Sequence, residues 1–325
     1  MKCPRRQFLQ LAAGAAALPA LSRIAKTQTY PARPVRWIVG FPAGGGADIV
    51  VRIIAQWLSE RLGQLVVVEN KPGASTNLSI QTAVNSAPDG YTLLFIAASA
   101  VVNSSLFEAL PFSLLRDITP ISGLIDFPLV MIVNPSIPAK TVAEFIGYAR
   151  SSPGKINMAS FGTGSTSHVA GELFKMMTGV NLVHVPYRGE APALTDMMGG
   201  QVQVMFDILT GSLPHIRSGA LRALAMAGKT RSDILPELPT VGDTVPGYEA
   251  NSWGGVGVPR GTPAEIIARL NREVNAGLAN PTVKARLADV ATTPLFFAPA
   301  EFGAYMATET EKWAKVVKFA GIKPE

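Results

Sequence analysis

The sequence predicts an α/β protein built as two lobes, and three observations lead to that class. Short apolar runs of strand length alternate with longer segments whose apolar residues recur every three or four positions, and strands separated by single helices are typical of parallel βαβ units. About 300 residues remain once a leader-like N-terminus is set aside, which is too many for one small domain. A Gly-rich turn that opens a helix occurs twice, at 41–48 and at 160–168.

Residues 1–22 have the composition of an export signal. Arg5-Arg6 precedes an apolar run, Leu11 to Leu21, that is too short and too rich in Ala and Gly to span a membrane permanently. The paired arginines predict the twin-arginine route, with an ordinary Sec signal as the alternative. Ala20-Leu21-Ser22 is the best cleavage motif, so we expect a mature periplasmic protein that starts near Arg23.

Removal of residues 1–22 changes what the net charge and the cysteine content imply about function. The chain has a formal net charge of +6, and the segment contributes Lys2, Arg5 and Arg6 without any acid, which leaves +3. No basic tract remains, so nucleic-acid binding loses its main support. Cys3 is the only cysteine and leaves with the segment, so we expect neither disulfides nor a lipid anchor.

The first lobe is predicted over residues 23–127. VRWIVGF (35–41) is a short apolar strand, and GGGAD then opens a helix that carries apolar residues in rows four apart. LVVVEN (65–70) and YTLLFIA (91–97) are the next strands, and each borders a turn that contains proline and glycine.

The second lobe is predicted over residues 128–251 and shows the same alternation. Thr141-Val142-Ala143-Glu144 is a capping box that opens a helix. Strands are predicted at 128–136, 157–160, 181–187, 202–207 and 221–228.

The chain is predicted to return to the first lobe over residues 252–325. SWGGVGVP (252–259) is the returning strand, and helices that cover the first lobe follow it. Thr262-Pro263-Ala264-Glu265 has the pattern of a second capping box with Pro at the first helical position. The two crossings leave a cleft between the lobes, where ligands of open α/β sheets bind.

The two Gly-rich turns, FPAGGGAD and SFGTGSTSH, predict an anion site in that cleft. The first N–H groups of a helix have no partner inside the helix, and a helix N-terminus stabilises a negative charge by roughly 0.3–1 kcal/mol, up to about 2 kcal/mol when partly buried. Two such ends that face each other could hold a carboxylate without any arginine.

A serine hydrolase is the main catalytic alternative in this region. Ser165 and His168 can share a helix face, and Asp207 could orient the imidazole. However, the run does not follow the G-x-S-x-G pattern of a nucleophile turn. We therefore interpret the hydroxyl groups as a helix cap and as donors to a ligand.

Cofactor and metal sites are predicted to be absent. Gly44 and Gly46 imitate a dinucleotide fingerprint, but the third glycine position holds Ile49. The histidines lack the spacing of metal ligands: His168, His184 and His215.

Six ordered blocks resemble the Bug family, the extracytoplasmic solute-binding proteins of tripartite tricarboxylate transporters. They are PARPVRWIVGFPAGGGADIVVR, VVVENKPGAS, APDGYTLLF, NMASFGTGSTSHVAGELF, LVHVPYRGEAPALTDMMGGQV and LPTVGDTVPGYEANSW. The resemblance covers essentially the whole mature chain. It implies a periplasmic-binding-protein fold of the type II class, capture of a small mono- or dicarboxylate in the cleft, and delivery to membrane permease subunits.

The resemblance also implies which residues contact the ligand, on two loops that close over it. The first loop contributes Phe41, Ala43, Gly44, Gly45 and Asp48, and the second contributes Gly162, Gly164, Ser165, Thr166 and His168. Further cleft candidates are Ser99, Tyr187 and Asp207. Ala47 stands where family members commonly carry a hydroxyl residue, so one side-chain donor is missing and the ligand cannot be inferred from relatives.

Roles for the charged candidates follow from chemistry. Asp48 would repel a carboxylate, so we expect it to cap the helix, paired with Arg52. Asp207 is expected to hold water or the far end of the ligand, and His168 to orient the loop. We expect a monomeric binding protein; the alternatives are a periplasmic enzyme acting on a carboxylate in the same cleft, and a partner of a membrane sensor. Citrate, succinate-like diacids, amino-acid diacids and aromatic carboxylates all remain open as ligands.

Overall fold

A computed structural model describes residues 30–107, 109–290 and 292–323. The predicted export signal lies outside these residues. No helix within the described ranges is long and apolar enough to cross a membrane. The strands found there are β1 (Val35–Val39), β2 (Val66–Asn70), β3 (Thr92–Ala97), β4 (Ile118–Phe127), β5 (Leu129–Val133), β6 (Ile156–Ser160), β7 (Leu182–Pro186), β8 (Val204–Ile208), β9 (Arg222–Met226), β10 (Ser252–Pro259) and β11 (Thr293–Pro294).

Helices alternate with these strands, as the apolar spacing predicts. They are α1 (Gly46–Leu62), α2 (Asn77–Val84), α3 (Ala98–Leu106), α4 (Leu114–Asp117), α5 (Val142–Ser151), α6 (Thr166–Thr178), α7 (Glu190–Met198), α8 (Leu209–Arg217), α9 (Ala264–Ala279), α10 (Pro281–Asp289) and α11 (Pro299–Ala320).

The strands form two sheets of closely similar order. The first sheet runs β11-β4-β10-β3-β1-β2 and the second runs β7-β6-β8-β5-β9. In each sheet three neighbouring strands are parallel, and the next strand, β10 or β5, is antiparallel to them. That antiparallel strand enters from the other sheet, as in the type II class of periplasmic binding proteins. We propose the lobe boundaries at these crossings, between residues 127 and 128 and between 251 and 252.

The two predicted apolar rows of helix α1 are both buried in part. Val50, Ile54 and Leu58 are fully buried, and in the other row Ile53 is 5% exposed whereas Ile49 is 38% exposed. The buried row packs with the core residues of β1 and β3, in an apolar cluster between the first sheet and helices α1 and α9. Apolar spacing therefore located the helix correctly, and the packing against the sheet determined which residue of the two rows, Ile49, stays exposed.

The two predicted capping boxes differ in the structure. Thr141 caps α5, since its Oγ1 accepts from the Glu144 backbone N–H at 3.1 Å. The second box is wrong: α9 begins after Pro263 without a side-chain cap, and the Thr262 hydroxyl donates to the Pro259 carbonyl at 2.8 Å. The Thr262 hydroxyl closes the turn after β10 and is therefore not available to the helix.

The C-terminal segment contains a strand as well as helices, and it does not cover the first lobe alone. The two-residue strand β11 extends the first sheet beside β4. Helix α11 packs against α3 and β4 on the first sheet and against α6 on the second. Glu309 of α11 accepts from the indole nitrogens of Trp253 (3.3 Å) and Trp313 (2.9 Å). This helix thus ties the returning strand β10 to the interior between the lobes.

Candidate functional site

A cavity of about 690 Å³ lies between the two sheets. Its wall contains residues that follow or end β1, β3, β6 and β8, at the carboxyl ends of the parallel strands. Both Gly-rich loops contribute to it. This is the position at which open α/β sheets bind ligands, so the cavity is the candidate site.

The cavity brings together most of the residues predicted from the resemblance. On its wall lie Phe41, Gly45, Ser99, Gly162, Gly164, Ser165, Thr166 and Tyr187. The others are not part of that wall: Ala43 and Gly44 are exposed to solvent, whereas Asp48, His168 and Asp207 are buried.

Asp48 holds the first loop together. Its Oδ2 accepts from the Gly44 backbone N–H and from Arg52 Nε, both at 2.8 Å, and its Oδ1 accepts from Asn70 Nδ2 at 2.9 Å. The Asn70 amide also donates to the Phe41 carbonyl at 3.0 Å. Burial by itself would raise the pKa of Asp48, but the bonds from Arg52, Gly44 and Asn70 outweigh it and keep the pKa below its usual value. The carboxylate shapes the loop and is fully engaged within the protein.

His168 holds the second loop in a comparable way. Its Nδ1 accepts from the Gly164 backbone N–H at 3.1 Å, so the ring proton belongs on Nε2, which faces Glu172 Oε1 at 3.7 Å. Ser165 caps α6 by accepting from the His168 backbone N–H at 3.3 Å. The imidazole therefore does not face the Ser165 hydroxyl as a base would. This geometry is that of a loop support and not that of a nucleophile with its base.

A second histidine supports the same loop from behind. The rings of His168 and His184 are stacked, with centroids 3.6 Å apart and planes at 6°. His184 Nε2 lies 2.7 Å from Ser160 Oγ, and Ser160 Oγ accepts from the Gly162 backbone N–H at 3.2 Å. Burial, followed by the neighbouring His168, lowers the pKa of His184 to about 4. His184 is thus neutral at pH 7, which avoids two stacked cations.

Asp207 and Glu190 form a buried carboxyl pair behind the wall. Asp207 is 0% exposed, and its polar neighbours are the Glu190 carboxyl group, the Ser212 side chain and the Ile208 backbone. Burial first, and then the neighbouring Glu190, raises the pKa of Asp207 well above its usual value; burial also raises the pKa of Glu190. Both shifts disfavour a pair of two charged carboxylates.

Sequence reasoning missed the aromatic part of the wall. Its rings come from separate elements of both sheets and include Phe95, Phe107, Phe127, Phe161 and Trp253. Several of them end a strand or stand one residue from a predicted contact, which is the only signal that the sequence carries. Arg188 was also missed, although it directly follows Tyr187 in the PYRG block.

The polar part of the wall is suited to an anion. Helices α1, α3 and α6 all begin at wall residues, and the caps of α1 and α3, Gly45 and Ala97, make no side-chain bond to the helix. Ser99 Oγ on the wall is buried and has no hydrogen-bond partner within the described residues. Arg188 is the one charged side chain on the wall, counted over the same part of the chain. Positive helix ends, a free hydroxyl and one guanidinium all favour a negatively charged ligand.

Residues that could hold a metal do not converge in the described ranges, where no three His, Cys, Asp or Glu side chains form a group able to hold an ion. The chemistry available at the wall is therefore hydrogen bonding, one positive charge and apolar contact.

Several known proteins are similar to this chain over most of its length. Protein BugT of Bordetella pertussis is 38% identical over 298 residues, which cover 91% of this chain and 91% of that protein. An R. palustris protein solved with adipate is 36% identical, with a TM-score of 0.80 over 91% of this chain and 100% of that one. MatC from Rhodopseudomonas palustris, solved with bound malate, is 31% identical, with a TM-score of 0.75 over 89% of this chain and 100% of that one.

The family model that matches this chain describes the tripartite tricarboxylate transporter family receptor and spans residues 50–322. Members of this family are periplasmic solute-binding receptors. From a match of this extent, together with the relatives above, the chain belongs to the tripartite tricarboxylate transporter receptor family.

Proposed function

We propose that this protein captures a small carboxylate in the interlobe cavity and delivers it to the permease subunits of a tripartite tricarboxylate transporter. The protein acts by binding and not by catalysis. In this proposal residues 1–22 direct export to the periplasm and are removed there, and the mature protein works as a monomer.

The single observation that carries the proposal is the electrostatic character of the wall. Three helix N-termini and Arg188 lie at the cavity, and no acidic side chain lies on its wall within the described residues. Related proteins were solved with adipate and with malate, which supports a carboxylate over other anions.

The candidate residues divide into two roles in this proposal. Gly45, Ser99, Ser165 and Thr166 contact the carboxylate directly from the wall. Asp48 and His168 hold the loops from behind. Asp207, which was expected to hold water or the far end of the ligand, is fully buried off the wall beside Glu190. The exposed Ala43 and Gly44 reach the ligand only when the lobes close by a hinge motion at the two crossings.

A thermal-shift screen against carboxylates tests capture. A ligand at about a hundred times its dissociation constant stabilises the folded state by roughly 2.7 kcal/mol, which raises Tm by several degrees for a protein of this size. Each acid is matched with its neutral amide. We expect shifts with acids and none with amides; shifts with amides alone, or with neither, would contradict the proposal.

Delivery needs a separate experiment in cells. Uptake of the radiolabelled hit is followed in strains that lack either this protein or the permease subunits. Loss of uptake in both strains is expected. Normal uptake with a lost transcriptional response to the ligand would favour the sensor alternative, and turnover of the ligand by the purified protein would favour the enzyme.

A further inference from the structure

The cavity wall restricts the kind of carboxylate that fits it. We propose that the ligand is a monocarboxylate with an uncharged apolar body, aromatic or aliphatic, and not a compact polar diacid. The inference rests on the proposed function and deepens it. Three features of the wall support this inference. They are the number of charged side chains, the hydrogen bonds that its polar side chains already make within the protein, and the position of its aromatic rings.

The charges on the wall match one carboxylate. Arg188 is the one charged side chain there within the described residues. It makes no hydrogen bond or ion pair in that part of the chain, so its guanidinium is free to meet an anion. In this inference Arg188 and the helix starts meet the same carboxylate, so a second carboxylate on the ligand would meet no second cation, and an unpaired charge in a largely apolar cavity is strongly disfavoured.

Several polar side chains on the wall are already committed to the protein. The Tyr187 hydroxyl donates to Asp196 Oδ2 at 2.8 Å. The Asn103 amide donates to the Ser75 carbonyl and to Asn77 Oδ1. Both residues therefore offer the cavity mainly their apolar surfaces. Of the other hydroxyl residues on the wall, Ser99, Ser165 and Thr166 lie at the starts of α3 and α6, whereas Ser252 lies at the start of β10. In this inference the three at the helix starts serve the carboxylate.

Two helix starts on the wall carry hydroxyl groups without a partner in the described residues. Ser99 Oγ, in the first turn of α3, and Thr76 Oγ1, just before α2, are buried and have no partner in the described residues. Together with the starts of α1 and α6 they provide enough donors for the lone pairs of a single carboxylate.

Apolar groups lie close to the starts of α1 and α6, where the carboxylate is proposed to bind. A Cβ built on Gly46 would lie 3.8 Å from the Phe127 ring, and one built on Gly164 would lie 2.7 Å from Leu106 Cδ2. The Phe41 and Phe95 rings meet edge to face, with centroids 6.3 Å apart. A ligand whose carboxylate is held at the helix starts must therefore place its body among these rings, and an apolar body gains the most from that contact.

Matched acids test the inference directly by titration calorimetry of the purified protein. The pairs are 4-methylbenzoate with terephthalate and hexanoate with adipate, in which a methyl group replaces the second carboxylate, and malate is the compact polar acid. We expect each monocarboxylate to bind at least about tenfold more tightly than its diacid partner, with malate weaker still. Diacids that bind as tightly as their partners, or more tightly, would overturn this inference and leave the proposed function standing. Binding of none of these acids would overturn the inference, and the thermal-shift screen would then decide separately whether the proposed function stands.

A variant pair tests the role of the rings. Phe161→Ser removes a half-buried ring from the wall, and Phe319→Ser removes a ring that is 56% exposed on α11, away from the cavity. We expect the first variant to weaken 4-methylbenzoate binding by roughly tenfold and to change malate binding little, and the second to change neither. Equal losses for both acids, with an unchanged Tm of the free protein, would contradict an apolar contact. Should Phe161→Ser fail to fold, Phe107→Arg replaces it: a second cation on the wall should favour adipate over hexanoate relative to wild type.

Discussion

Each carboxyl group near the cavity is neutralised by different neighbours. Asp48 is bound to Arg52 and to backbone and amide donors. Asp207 lies beside Glu190, and burial and the second acid both raise its pKa, which disfavours its charged form. The wall itself carries no acidic side chain within the described residues, which favours an anionic ligand.

Ser165 has two roles at the residue scale, as a helix cap and as a proposed ligand contact, and a matched variant separates them. Ser165→Ala and Thr141→Ala each remove a cap and should each lower the free energy of unfolding by about 0.5–2 kcal/mol. Only Ser165→Ala should weaken carboxylate binding, since Thr141 is not on the wall. Urea unfolding and calorimetry measure the two effects. Equal affinities in both variants would remove Ser165 from the site.

At the scale of elements, the site consists of helices that begin where parallel strands end. The starts of α1, α3 and α6 are brought to one cavity by the common strand order of the two sheets. The loops before α1 and α6 then need backbone that most residues avoid: φ is +82° at Gly44 and +77° at Gly164. Glycine is the residue that adopts this conformation without strain.

Alanine at these two glycines distinguishes backbone strain from loss of space. Both substitutions should destabilise the protein by roughly 1–2 kcal/mol, because each forces a left-handed conformation on an L-residue. At Gly44 nothing lies within 4 Å of the new Cβ, whereas at Gly164 it would lie 2.7 Å from Leu106 on the wall. We expect Gly164→Ala to lose more stability and also to lose affinity. Denaturation and binding of both variants check this; identical behaviour would contradict the close packing of Gly164.

At the scale of the whole molecule, two chain crossings and α11 join the lobes. Asp126 lies beside both crossings: it is near the end of β4, pairs with Trp253 in β10 and accepts from Asn251 Nδ2 at 3.2 Å. Burial first, and then Glu249 and Glu309, raises the pKa of Asp126 to about 7. A change in the protonation of Asp126 therefore changes the charge at the place where the chain crosses between the lobes.

The contribution of Asp126 to the stability of the protein should accordingly fall with rising pH. Folded Asp126 binds more protons than unfolded Asp126 between pH 3.8 and about pH 7, so its stabilising effect is present at low pH and is lost as pH rises through about 7. One pKa unit corresponds to about 1.4 kcal/mol, so a loss of a few kcal/mol is the upper bound. Asp126→Asn keeps an acceptor for Asn251, and its stability relative to wild type should be higher at about pH 8.5 than at about pH 5.

Unfolding free energies at the two pH values provide the measurement. The matched control is Asp289→Asn, which removes a charge from an exposed position on α10. An Asp126→Asn variant whose pH dependence equals that of wild type would show that this carboxyl group does not couple protonation to folding.

The amino-acid sequence by itself determined the elements and the family. Apolar spacing located α1, a capping box located the start of α5, and the two Gly-rich turns indicated two helix starts suited to an anion. The six ordered motif blocks were sufficient on their own to indicate the receptor family, which the match over residues 50–322 confirms. These features are local, because spacing, caps and turns depend on residues a few positions apart.

Only the tertiary structure decided which residues surround the helix starts on the cavity wall. Phe95, Phe127 and Trp253 are distant in sequence and meet at one wall only because the strands pair in this order. The buried partners of Asp207 and His168 were hidden for the same reason: Glu190 and His184 lie on other elements. Long-range pairing brings such groups together, and no local pattern records it; the apolar character of the ligand therefore has to be inferred from the folded chain.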